Sequence, residues 1–312
     1  MRFQLLLGGR GARASTVLAM LAGLVGTVAG TCWSQTLDAF RPSPETSRLG
    51  RVSEVSYDTG LIELPAGFLA HSPAGSQRRF RFPESVWIVA YSTSIYDSTG
   101  EAPRENYLCH TFLGDRPFTQ SHEPRMTAIY SDSFTREVQL PDGFALFVES
   151  GQELNWLPLF NNREAAGTKV GMKMTVTLIR ESDVIRPPRR LYSTLHSSHM
   201  PHLFFVPPDR HRQEAVLRLG FRGRIHFMGT HVHPYAEFVE LHNVSRSERV
   251  WKGVGKFESS GQMTGFEVYS SDDGYPVSPS ETYKLTSAYD NPTGRQIDAM
   301  AGLFVMYSLD SR

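Results

Sequence analysis

The chain has 312 residues, 40% of them hydrophobic and 21% charged, a balance that excludes a disordered chain and allows one large or two ordinary domains. Lys+Arg and Asp+Glu are equal at 32 each, so no net field draws the chain to nucleic acid or to an anionic membrane surface. Partners have to be read from sites.

The chain opens with Arg2, Arg10 and Arg13, an apolar run from Thr16 to Val25, and small residues at Ala29, Gly30 and Thr31. This is the pattern of a signal peptide over 1–34, cleaved between about Thr31 and Thr36, and it predicts a secreted or periplasmic protein. The apolar run is short against the roughly 20 residues a spanning helix needs, so a retained membrane anchor is the lesser alternative. No second run of that kind follows, and no integral membrane span is expected in the mature chain. Removing the leader with Cys32 leaves Cys109 without an internal disulfide partner, which suits a periplasm better than a disulfide-rich secretory setting.

From about residue 50 onward, short apolar or alternating runs are broken by turn residues. Strands are predicted at 85–91, 144–148, 171–179 and 302–307; in the third, Lys173, Thr175 and Thr177 alternate with Met174, Val176 and Leu178. Turn signals are dense, at Pro141-Asp-Gly143, Asp273-Gly274 and Asn291-Pro292, and no long segment has a 3.6-residue period. The expected class is all-β: two antiparallel jelly-roll or β-sandwich domains in tandem, 37–182 and 190–312. The boundary is placed in Ser182-Asp-Val-Ile-Arg-Pro-Pro-Arg-Arg190, a stiff charged connector.

The chemistry concentrates in Met228-Gly-Thr-His-Val-His-Pro234. On a strand His231 and His233 share a face, so both imidazoles can point at one ion. A thioether candidate, Met300, follows in Asp298-Ala-Met300-Ala-Gly302. Two imidazoles with a thioether suit copper cycling between Cu(I) and Cu(II). Paired histidines also occur as surface or core residues, and a lone methionine ordinarily packs. The run His196, His199 and His202 is read as a solvated loop near the domain junction, with a lining role at a metal site or cleft as the alternative. Cys109 and His110, adjacent on a strand, should face opposite ways, which speaks against a thiol nucleophile with its base beside it. No nucleophile elbow, phosphate loop or dinucleotide fingerprint is present.

The order His231-Val-His233, then 283–294, then Asp298-Ala-Met300 resembles the catalytic C-terminal domain of the copper type II, ascorbate-dependent monooxygenases, which include peptidylglycine α-hydroxylating and dopamine β-monooxygenases. The resemblance covers 190–312 well and about 80–182 weakly. It implies that His231, His233 and Met300 hold the copper that binds dioxygen. It also implies a second, electron-relay copper on a His-His pair and a later histidine. Here Cys109-His110 stands at the pair and Leu159 at the later position. Cys109 and His110 are then the remaining candidates for that site, with His122 or His71 approaching from a loop. The function implied is an exported copper monooxygenase that hydroxylates a C–H bond of a small-molecule substrate with ascorbate or another reductant. The alternative is a non-catalytic copper-binding protein on the same fold, used in storage, delivery or surface interaction, with another copper protein as a partner class. Arg224 and Tyr235 are the candidates for a substrate carboxylate clamp.

Overall fold

The structure, a computed structural model, describes residues 43–310 apart from 74, 104–106, 118–124, 200–201 and 260–262, and leaves out the side chains of 69–71. The leader at 1–34, His122 and the side chain of His71 lie outside the described residues. A short helix, α1 (Pro44–Leu49), is capped by Ser43, whose Oγ accepts from the Thr46 N–H at 3.1 Å.

Strands follow almost without interruption. The first half holds β1 (Gly50–Asp58), β2 (Ile62–Leu64), β3 (Phe68–His71), β4 (Arg78–Arg81) and β5 (Val86–Asp97). It continues with β6 (Leu108–Gly114), β7 (Ala128–Asp132), β8 (Glu137–Gln139), β9 (Phe144–Val148), β10 (Glu153–Asn162) and β11 (Thr168–Val184). The second half holds β12 (Arg189–Ser197), β13 (Leu203–Val206), β14 (Asp209–Leu217), β15 (Gly223–Val232) and β16 (Ala236–Asn243). It ends with β17 (Glu248–Phe257), β18 (Met263–Phe266), β19 (Tyr269–Val277), β20 (Tyr283–Asn291) and β21 (Ile297–Leu309). All four predicted strands fall on β5, β9, β11 and β21, and the all-β expectation of two jelly rolls in tandem is borne out.

The sheet order reveals a repeat of the whole half. One sheet runs β1-β11-β5-β9-β12-β21-β15-β19, and two smaller sheets run β3-β10-β6-β7 and β14-β20-β16-β17-β18. Each half therefore contributes four strands to the main path of the long sheet, with β2, β8 and β13 paired beside it, and packs a five-stranded second sheet over them, in the manner of a jelly roll. The repeat reaches single side chains. Asn162, the last residue of β10, donates from Nδ2 to the carbonyls of Leu64, Pro65 and Ala166 at 3.2, 3.0 and 2.9 Å. Asn291, the last residue of β20, donates to Val206, Pro207 and Arg295 at 3.3, 3.0 and 2.7 Å. Both asparagines are buried, and each spends its amide on the carbonyls of two loops.

The halves are joined by β9 and β12, which pair in parallel from Arg189↔Phe144 to Leu191↔Leu146. The anticipated connector is thus only 185–188, and the described residues fall in one compact unit. The first core extends across the join. Leu195, Phe227, Phe304 and Met306 of the second half pack with Leu108, Phe112 and Tyr130 of the first. This is why β6 and β7 are buried on both faces, whereas β10 alternates half-buried and buried along its whole length. Phe304 stacks on Tyr130 with ring centroids 5.7 Å apart and is only 2% exposed. Phe304→Ala should lower stability by about 3–5 kcal/mol. The variant's far-UV circular dichroism and tryptophan fluorescence should still melt together, because Trp156 and Trp251 report on halves that share a core. Separate transitions would contradict that coupling.

Candidate metal centre

The site begins with an irregularity in β6. Opposite β10, His110 pairs with Leu159 and Leu108 pairs with Phe160, so Cys109 is an extra residue without a partner. Such a bulge re-aims side chains that strict alternation would separate. Cys109 Sγ consequently lies 3.2 Å from His110 Nδ1, and the two face the same way, against the expectation from a regular strand.

The second half meets them with the end of β15. His231 and His233 do share a face: their rings are 5.3 Å apart and nearly perpendicular, and Val232 between them points into the second core. His231 Nε2 is 3.8 Å from Cys109 Sγ. Its Nδ1 is 3.2 Å from Asp132 Oδ2, at the end of β7. The other oxygen of Asp132 accepts the N–H groups of Phe134 and Thr135 at 2.8 and 2.7 Å. His233 Nδ1 lies 2.7 Å from Asp298 Oδ2 on β21, and Arg163, just after β10, grips the same carboxylate with two hydrogen bonds of 2.9 and 2.7 Å. Each carboxylate engages Nδ1 and so sets the plane of its ring, which leaves Nε2 of His231 turned toward Cys109.

One potential ligand atom from each of Cys109, His231 and His233 falls within a 4.8 Å group, and the residues are 3, 5 and 4% exposed. This buried Cys/His/His group can hold a metal ion. Burial pushes the Cys109 thiol up to about 12, with the charge of Asp132 adding to it. Burial holds His231 and His110 well below the usual imidazole range, so both rings are neutral, the form that binds metal. Burial also lifts Asp132 to about 7, against the two backbone N–H groups that favour its anion.

Residues assigned in sequence to two coppers therefore meet at one place. Met300 lines a cavity of about 40 Å³ together with His110, Tyr130, Leu195, His202 and His231, and its carbonyl accepts the Tyr289 hydroxyl. His202 thus takes the alternative considered for its run, lining the cavity, while His199 packs on Phe204 at 5.2 Å. Leu159 stays in β10 opposite His110. Arg224 and Tyr235 do not form a clamp: Arg224 donates to the carbonyls of Asp273 and Gly274 in a different cavity. Sequence reasoning missed Asp132 and Arg163, which no local motif marks, since each acts on a residue from the other half.

No protein-family profile matches the chain, and no curated protein matches it. Among solved structures it is similar to the major capsid protein P2 of bacteriophage PM2, at 9% identity and a TM-score of 0.37 over 81% of this chain and 98% of that one. It is also similar to a protein of Sulfolobus turreted icosahedral virus, at 11% identity and a TM-score of 0.35 over 83% and 91%. These likenesses carry no argument about activity. No helix of the described residues is long and apolar enough to cross a membrane.

Asp298 gives the site a pH signature. Burial acts to raise its carboxyl, but the hydrogen bonds from His233 and Arg163 outweigh burial and hold it well below the ordinary carboxylate range. A folded value below the unfolded one of about 4 stabilises the protein above that pH and is lost as pH falls toward the folded value. Arg163 is 40% exposed, which discounts the pair. Asp298→Asn should cost about 2–3 kcal/mol at pH 7 and flatten the further loss between about pH 4 and pH 2 in denaturant melts. A variant as stable as wild type at pH 7 would contradict this.

Proposed function

We propose that this is an exported copper-binding protein whose ion is held by Cys109, His231 and His233, with Met300 as a further sulfur donor. The observation that carries the reading is the pair of carboxylate-anchored imidazoles turned toward a buried thiol. A thiol, two imidazoles and a nearby thioether form a soft donor set, suited to copper and unsuited to magnesium or calcium. Copper bound there would supply one-electron chemistry. The protein's own part is to exclude water, hold both rings in one orientation and give up the Cys109 proton on binding.

Binding rather than hydroxylation follows from enclosure. The cavity of about 40 Å³ at the cluster has room for about one water molecule, far less than a small-molecule substrate needs. Copper storage, delivery or electron exchange with another copper protein fits that enclosure. The position of Met300 beside His231 favours the hydroxylation reading as the second one, in line with the monooxygenase resemblance.

Metal analysis of the full chain purified with copper should give one copper per chain, lost in Cys109→Ala and His231→Ala. Asp132→Asn should retain the ligands yet weaken copper binding about 10–100-fold. A chain that takes zinc and refuses copper, or keeps its copper in Cys109→Ala, would overturn the assignment. Oxygen uptake by the copper-loaded protein with ascorbate, dependent on an added amide or phenethyl substrate, would restore hydroxylation over binding.

A further inference from the structure

A second cavity, of about 660 Å³, is lined by Phe144 of β9, Arg189, Arg190 and Tyr192 of β12, and Arg224 and His226 of β15. That is the size of a small-molecule site. Three guanidinium groups line it: Arg189 and Arg190 at the start of β12 and Arg224 on β15. Each is held by something other than a carboxylate. Arg189 lies over the Phe144 ring at 3.7 Å, and Arg190 lies between Phe147 and Tyr192 at 5.1 and 4.8 Å. Arg224 donates to the carbonyls of Asp273 and Gly274 at 3.0 and 2.9 Å. Among the described residues none of the three forms an ion pair, and Nε of Arg190 is buried without a hydrogen-bond partner. Three positive charges thus line one concavity outside any ion pair, with one Arg224 nitrogen spent on carbonyls and Arg190 sharing its field with the Asp115 carboxyl.

Asp272 and Asp273, both exposed, also line the cavity, beside Arg224. They are projected there by a four-residue excursion of β19, because Ile225 pairs with Tyr275 and Phe227 with Ser270. His226 fills the space beneath this excursion, with Nδ1 on the Ser271 carbonyl and Nε2 on Ser308 Oγ, both at 2.9 Å. Gly274, at φ +67°, leaves room for that ring, since a Cβ would come within 2.8 Å of it. Both nitrogens of His226 are engaged, so it is wall and support.

We propose that this cavity binds a small organic phosphate bearing hydroxyl groups, of the sugar-phosphate class. The guanidinium groups take the phosphate through their fork geometry. Asp272 and Asp273 accept from the hydroxyls, and the volume exceeds what inorganic phosphate alone would fill.

Calorimetric titration of the full chain with ribose 5-phosphate, inorganic phosphate and ribose tests this. Ribose 5-phosphate should bind at least tenfold more tightly than either of the others. R189A/R224A should weaken it at least tenfold, and D272N/D273N should bring its affinity down to that of inorganic phosphate. Because Arg224 also ties down the excursion in β19, R189A is measured alone, and it should lose several-fold with an unchanged melting temperature. Ribose 5-phosphate binding no tighter than inorganic phosphate or ribose, or binding unchanged in R189A and in R189A/R224A, would overturn the proposal.

Discussion

Two carboxylates decide where the imidazoles of the cluster point, and each works across the join between the halves. Asp132, from the first jelly roll, holds His231 of the second. Asp298 holds His233 within the second roll, but is itself gripped by Arg163 of the first. A buried imidazole without such a partner would be free to turn, and its lone pair would have no fixed direction. With the partners in place, His231 presents Nε2 toward Cys109, and a ring nitrogen of His233 lies within the same 4.8 Å group. The same contacts bind one roll to the other, so the geometry of the centre and the relative placement of the halves are a single constraint.

That constraint explains the enclosure. The long sheet continues from β9 into β12, and β6 and β7 lie beneath the second roll, covered on both faces. A cluster at such a junction is desolvated by its surroundings. Desolvation keeps the thiol protonated and the His231 imidazole neutral, a state in which a soft ion is welcome and a free charge is not. The arginine-lined cavity is the contrasting case. There the guanidinium groups rest on aromatic rings and carbonyls at an open surface, and their charge stays available to solvent and to an anion.

Much of the fold was legible in the sequence because strands announce themselves by alternation and turns by Gly, Pro, Asn and Asp. His231 and His233 were legible for the same reason, since a two-residue spacing on a strand needs no tertiary knowledge. Cys109 beside His110 was not: a bulge depends on the register against β10, which the residues of β6 do not state. Nor was the convergence of Cys109 with His231, 122 residues apart, because it requires knowing that β6 of one roll lies under β15 of the other. The repeat of the jelly roll was hidden similarly. Asn162 and Asn291 do the same work, yet the segments around them share little beyond a Pro in the loop each one ties down.

The central claim is that one sulfur and two imidazoles meet at a single ion. X-ray absorption at the copper edge of the copper-loaded protein tests it most directly. A short metal–thiolate path together with imidazole scattering, the short thiolate path vanishing in Cys109→Ala while any longer Met300 thioether path stays, is the predicted result. A first shell of oxygen and nitrogen alone in the wild-type protein would contradict it.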